Sequence, residues 1–284
     1  MKSIGIIGLD GSGKTTYLMA LTESLKRGLC GLSFSIMQND LRLAIEQEWN
    51  NMTRSYSWPQ GTIFTQKYIF QCQKSECHYS NLDFQCCDYR GGILVSFEED
   101  DYLERVETLK YIQDSDGIVI LIGADIIKHF LTKNVSSYDL VRLKKINYYI
   151  LKYLDKSKEK PITLSITKSD ILTNDEKTLL FQAVKELFPF VFNSNNHIKT
   201  LIVPICLGTS LSNNSERLES ALYINPNDGN VHIPILFNMY YIIDSQIKTS
   251  ISFKDIADLT PIKRKIKKEL VAFANNNIIE INTI

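Results

Sequence analysis

The chain carries no surplus of either charge: 32 Lys and Arg stand against 32 Asp and Glu across 284 residues. A protein that holds nucleic acid through bulk charge needs a basic excess, so no nucleic-acid partner is expected. There is no apolar run long enough to cross a bilayer, and the first residues read as a buried strand rather than a leader. Membrane association is therefore not expected, and the expected setting is cytoplasmic. Six cysteines are present without a Cys-x-x-Cys pair. Cys72, Cys77, His78, Cys86 and Cys87 lie close enough in sequence to raise the question of zinc. However, Cys86 and Cys87 are neighbours at the end of a strand pattern and must point to opposite faces, so free, buried thiols are expected. There is also no internal repeat and no low-complexity segment. With 44% hydrophobic and 23% charged residues, the length suits one large α/β domain or a domain with an appendage.

What the chain does have is concentrated in Ser3 to Thr16, SIGIIGLDGSGKTT. Ile4, Ile6 and Ile7 read as a buried strand. Gly8-x-x-x-x-Gly13-Lys14-Thr15 follows, a phosphate-binding loop, and a helical pattern starts at once with Leu18, Leu21 and Leu25 and stops at Gly28. Gly8, Gly11 and Gly13 let the backbone turn so that its N–H groups converge on an anion at the helix N-terminus, along a loop that also holds Asp10, Ser12 and Thr16. Lys14 supplies a point charge for the β- and γ-phosphates, and the Thr15 hydroxyl is a candidate Mg²⁺ ligand.

Further along, residues 32–37 read as a short strand and Leu41, Ala44, Ile45 and Trp49 as a helix; loop chemistry fills 55–61. Residues 63–72 and 82–86 alternate as strands, an antiparallel pair joined at 73–81. A helix with Leu103, Val106, Leu109 and Ile112 facing a core comes next, its acidic residues 98–101 favoured at a helix N-terminus. Residues 117–123 (GIVILIG) form a fully apolar run, as a central parallel strand should, and residues 161–167 (PITLSIT) read as another buried strand. Residues 124–136 show no clear period. Ser136 and Ser137 precede a long helix, Thr173-x-x-Glu176 is a capping-box pattern, and residues 200–206 form the last strand. Residues 208–231 read as a polar loop, and Pro234 opens a helix. Thr260-Pro261 marks a further helix start, with Ile262, Ile266 and Leu270 on one face and Lys263, Arg264, Lys265, Lys267 and Lys268 on the other, expected to dock on the domain with a solvated basic face. The expected fold is α/β: a three-layer sandwich around a mostly parallel sheet, residues 1–248, with a C-terminal helical extension over 249–284. Its ligand belongs at the carboxyl ends of the strands.

Two tetrads stand at such strand ends: Asp88-Tyr89-Arg90-Gly91, of the form Asp-x-x-Gly, and Thr167-Lys168-Ser169-Asp170, of the form [Asn/Thr]-Lys-x-Asp. With the phosphate loop they form an ordered trio, and over roughly residues 1–245 the chain resembles the P-loop GTPases, with Ras-like G domains as the pattern. The resemblance implies GTP or GDP as ligand, with Mg²⁺. Asp170 would accept the N1 and N2 protons of guanine and reject adenine, which would leave a buried carboxylate unpaired. Lys168 would lie along the base plane and Thr167 would brace the loops. Asp88 would hold Mg²⁺ through water, the Gly91 N–H would sense the γ-phosphate, and Thr62, or failing it Thr65, would close over the metal. Cys206-Leu207-Gly208 lies where the family reads the guanine oxygen, although the residues differ from the usual Ser-Ala.

The residue after Asp-x-x-Gly is Gly92, where Ras-like members place a water-orienting glutamine. Slow intrinsic hydrolysis is therefore expected, assisted by a partner or by a cis residue such as Arg90 or Arg54. A regulatory switch is the expected role, with a protein partner or a dimer formed through the switch regions, a pattern similar to bacterial GTPases that act beside a partner. Two alternatives remain open here. The wording of residues 8–16 is similar to thymidylate kinases, but no Asp-Arg pair and no arginine-dense lid accompany it; a G domain that binds without hydrolysing is the other.

Overall fold

The computed structural model describes residues 1–55, 58–59, 65–74, 77–90, 92–96, 98–153, 160–189, 191–192, 198–207, 226, 229–250 and 252–276. The described residues form eight strands and eight α-helices. The strands are β1 (Lys2–Gly8), β2 (Ser33–Ile36), β3 (Gln66–Lys74), β4 (Cys77–His78), β5 (Phe84–Asp88), β6 (Gly117–Gly123), β7 (Pro161–Thr167) and β8 (Lys199–Pro204). The helices are α1 (Lys14–Lys26), α2 (Asn39–Ser55), α3 (Tyr102–Asp114), α4 (Ala124–Leu131), α5 (Ser137–Tyr153), α6 (Asn174–Leu187), α7 (Ile233–Thr249) and α8 (Phe253–Asn276).

One sheet runs in the order β2-β3-β5-β1-β6-β7-β8, with β4 added to β3. The strands from β5 through β8 are mutually parallel, and β3 runs antiparallel to β2, β4 and β5. Covered strands are buried on both faces, and β6 and β7 are buried at every position; β6 is wholly apolar, whereas one face of β7 carries the buried Thr163, Ser165 and Thr167. Their alternation divides the core in two. Val119 and Leu121 face the layer of α1, α7 and α8, while Ile118, Ile120 and Ile122 face the layer of α3, α4, α5 and α6. Cys86 and Cys87 part in the same way, one into each core, as their adjacency required. This is the three-layer sandwich expected, with β1 at the switch point between β5 and β6. All the parallel strands end at one edge, and the first loop after β1 opens there.

Three details correct the sequence reading. Leu103 and Val106 do not face a core: they are 74% and 44% exposed, and on α3 it is Thr108, Leu109 and Ile112 that are buried. The first turns of α3 are held by charge instead, with Arg90 paired to Asp101 and Glu104 and Arg105 donating to the Ser96 carbonyl at 2.7 Å. Within 124–136 lies α4, whose eight residues are too few for a period to stand out. Finally, α8 starts at Phe253 rather than at Thr260, and Pro261 lies inside it. Ser252 caps the start, its Oγ accepting from the Asp255 N–H at 3.3 Å. A proline in a helix interior costs about 3 kcal/mol, whereas each fully buried large side chain returns about 1.5–3 kcal/mol. Leu259, Ile262, Ile266, Leu270 and Phe273 are all buried on either side of the proline, so burial carries the helix through it.

The capping box of α6 forms as expected: the Thr173 Oγ1 accepts from the Glu176 N–H at 3.2 Å, and the Glu176 carboxylate accepts from the Thr173 N–H at 2.8 Å. Much of the expected 208–231 loop lies outside the described residues. No described helix is long and apolar enough to cross a membrane.

Candidate nucleotide site

The loop from Gly8 to Thr15 joins the end of β1 to the start of α1. Position 8 has to be glycine because the backbone passes too close to its neighbours for anything larger. A Cβ there would collide with the Ser12 Oγ and come within 2.9 Å of the Leu121 carbonyl oxygen. Gly11 and Gly13 take left-handed backbone, and Gly13 forms the N-cap of α1 without a side-chain cap. The first N–H groups of the helix therefore depend on a bound group or solvent rather than on a side chain.

The Lys14 side chain folds back over the loop, its Nζ donating to the Gly8 and Leu9 carbonyl oxygens at 3.1 Å each. Burial pushes its pKa below that of an ordinary lysine; Asp88 and Asp10 draw it back up, and Arg142 pushes it further down. The Thr15 hydroxyl donates to Asp88 Oδ2 at 3.0 Å, so a hydroxyl and a buried carboxylate from β5 stand side by side. An all-oxygen pair of this kind fits a hard divalent cation such as Mg²⁺. Among the described residues, no group of three or more His, Cys, Asp or Glu side chains is assembled for a metal.

The tetrad after β7 meets the phosphate loop directly. The Thr167 hydroxyl donates to the Ser12 carbonyl at 2.8 Å and lies 3.3 Å from that of Ile122. Lys168 adopts left-handed backbone (φ 55°), and its Nζ lies 3.9 Å from Asp125 Oδ2. The Ser169 N–H donates to the Ile205 carbonyl at 3.0 Å, which joins this tetrad to the segment after β8. There, the Cys206 N–H donates to the Gly229 carbonyl at 3.1 Å and Leu207 is buried. Asp170 Oδ1 is shielded from solvent and has no hydrogen-bond partner among the described residues. A shielded carboxylate oxygen without a donor is costly.

The other candidates are distributed as follows. Thr16 lies within the first turn of α1. Thr62, Gly91 and Gly208 lie outside the described residues. The Thr65 hydroxyl donates to Glu104 Oε1 at 2.8 Å. Arg90 is engaged by Asp101 and Glu104, and Arg54 sits exposed in the last turn of α2. The residue sequence reasoning missed is Arg142, on α5, whose Nη2 donates to Asp10 Oδ2 at 2.9 Å. Asp10 in turn occupies the space beside Gly92. A Cβ at position 92 would stand 2.6 Å from Asp10 Oδ2, and Gly92 has φ 79°.

Sheet order and loop together define an α/β domain with a glycine-rich turn between its first strand and first helix, at the carboxyl edge of the parallel strands. No family model and no curated protein matches the chain. Among solved structures it is similar to the translation elongation factor SelB from Methanococcus maripaludis in complex with a GTP analogue, with 18% identity over 72% of this chain and 29% of that one (TM-score 0.40). It is also similar to a GTP-binding protein from Sulfolobus solfataricus in complex with GDP, with 16% identity over 72% and 46% (TM-score 0.38). The G domain of the T. maritima FeoB iron transporter is a third, with 15% identity over 72% and 86% (TM-score 0.33). The chain thus spans less than a third of the SelB protein and under half of the Sulfolobus one.

Proposed function

We propose that the chain binds GTP and GDP with Mg²⁺ and hydrolyses GTP slowly, as a regulatory switch. The observation that carries this reading is the shielded Asp170 oxygen, without a hydrogen-bond partner among the described residues, on a tetrad tied to the phosphate loop through Thr167. Guanine offers N1–H and N2–H in parallel, while adenine offers neither, so a nucleotide whose phosphates fill residues 8–15 satisfies this carboxylate only if its base is guanine. Gly8, Gly11, Ser12, Gly13, Lys14, Thr15 and Thr16 then hold the phosphates, and Thr167, Lys168, Asp170, Cys206 and Leu207 surround the base. Thr15 and Asp88, with Thr62 closing, would hold Mg²⁺, which when bound neutralises charge on the β- and γ-oxygens.

Slow turnover follows from position 92. Gly92 carries no side chain to orient water, and with φ 79° and the Asp10 carboxylate beside it a larger residue there would be strained and would have to displace Asp10. Arg90 is held by Asp101 and Glu104, so it is a weaker candidate for assisting hydrolysis than the sequence suggested. A protein partner or second copy meeting the switch segments fits this arrangement, and the exposed Leu103 and Val106 on α3 support it.

The test is a fluorescent-GDP titration with Mg²⁺, competed by GTP, ATP and dTMP. GTP should compete with GDP, and ATP and dTMP at least ~100-fold more weakly. Equal competition by ATP or dTMP would move the chain to the nucleotide-kinase reading. Turnover of several GTP per second by the isolated chain would contradict the slow-switch part.

A further inference from the structure

Arg142 stands beside the phosphate loop, paired to Asp10, although it belongs to none of the sequence motifs. It projects from α5 to the mouth of the phosphate loop, and its side chain is only 13% exposed. The guanidinium lies 5.0 Å from the centre of the Tyr138 ring, one helical turn earlier, and so is pre-oriented. One of its nitrogens donates to Asp10 Oδ2, whereas Nε is shielded from solvent with no hydrogen-bond partner among the described residues. Its charge reaches Lys14, whose pKa it helps to lower.

A structural ion pair explains this arrangement poorly. The Asp10 side chain is 56% exposed, and pairs open to solvent contribute little. Keeping a guanidinium nearly buried with a donor unused among the described residues is costly unless an anion arrives to take it up. The site's own ligand supplies one. Lys14 serves the β- and γ-phosphates, and a guanidinium within its field, on the side of the loop where Asp10 meets Gly92, faces the terminal phosphate rather than the base. Asp10 would repel that phosphate if left uncompensated.

Resting on the GTP reading above, we propose that Arg142 is a γ-phosphate ligand, parked on Asp10 until a triphosphate binds and then donating to the terminal phosphate. It would thereby set the preference for triphosphate over diphosphate. The guanidinium remains charged throughout, so the exchange needs no proton transfer.

The test measures the affinities of Mg²⁺–GDP and of the non-hydrolysable β,γ-imido analogue of GTP by fluorescence competition. The chains compared are wild type, Arg142→Ala, Arg142→Lys, Asp10→Asn and the double Asp10→Asn/Arg142→Ala. Arg142→Ala should keep GDP affinity within ~3-fold, which also certifies its fold, and lose ~10-fold or more for the analogue, with Arg142→Lys intermediate. The double variant decides the mode of action. If Arg142 touches the phosphate, removing the Asp10 charge does not restore analogue affinity. An unchanged analogue-to-GDP ratio in Arg142→Ala, or wild-type analogue affinity in the double variant, would overturn the proposal. Failure of the GTP reading shows separately: wild type would bind neither ligand, or both equally well after Asp170→Ala, and the proposal would fall with it.

Discussion

The hydroxyl of Thr167 reaches the carbonyl oxygen of Ser12 at 2.8 Å across 155 residues of chain. One hydrogen bond thus holds the tetrad expected to read the base in register with the loop expected to hold the phosphates. Thr167→Val keeps the shape and removes the donor. It should cost about 1–2 kcal/mol of unfolding free energy, and GDP affinity should fall about tenfold. Urea unfolding with and without GDP separates the two effects. Unchanged GDP affinity would mean that the two loops act independently.

A glutamine introduced at position 92 should not speed the proposed hydrolysis. Gly92→Gln places a side chain on left-handed backbone, at about 1–2 kcal/mol, and drives its Cβ against Asp10. Single-turnover GTP hydrolysis is expected to be no faster than wild type, and thermal stability lower. A tenfold acceleration would show that the Asp10–Gly92 contact does not close the position.

The basic helix at the C-terminal end is legible as a core element from its buried stripe. Ile266→Ala should cost about 2–5 kcal/mol, because Ile266 has no exposed surface and leaves a cavity. Lys267→Ala, on the exposed face, should stay within about 0.5 kcal/mol. Equal effects from both would detach α8 from the core.

His232 should make stability sensitive to acid. Burial holds its pKa down at about 4, against an ordinary 6.5. Glu269, 3.9 Å from Nε2, opposes this, but its side chain is half exposed and burial prevails. The unfolded chain takes up the proton below about pH 6.5 and the folded chain only near 4, so acidification through that window favours unfolding. The loss is on the order of 3 kcal/mol, complete below about pH 4 and absent above 6.5. His232→Gln should flatten the dependence between those limits, which pH-dependent urea unfolding would reveal.

The parts of the site written in contiguous residues were legible. Gly8 to Thr15 and Thr167 to Asp170 stand out as candidates because each is a short contiguous pattern at a strand end. The parts made by packing were not. Arg142 is one basic residue among several on α5, and only the fold brings it 132 positions back to Asp10. Leu103 and Val106 have helical spacing suited to a core, but their end of α3 is held by Arg90 and Arg105 rather than by apolar contacts. Pro261 read as a start signal because propensity favours it there, and the buried stripe through Leu259 and Ile262 outweighs that preference. Ser252, three residues before Asp255, was the local start signal available in the sequence.

The central claim is that Asp170 reads guanine, and a crystal structure of the chain with GDP and Mg²⁺ tests it most directly. The account predicts the β-phosphate within residues 8–15 and both Asp170 oxygens about 3 Å from the guanine N1 and N2 nitrogens. A bound nucleotide whose base lies away from residues 167–170, with Asp170 still unpaired, would contradict it.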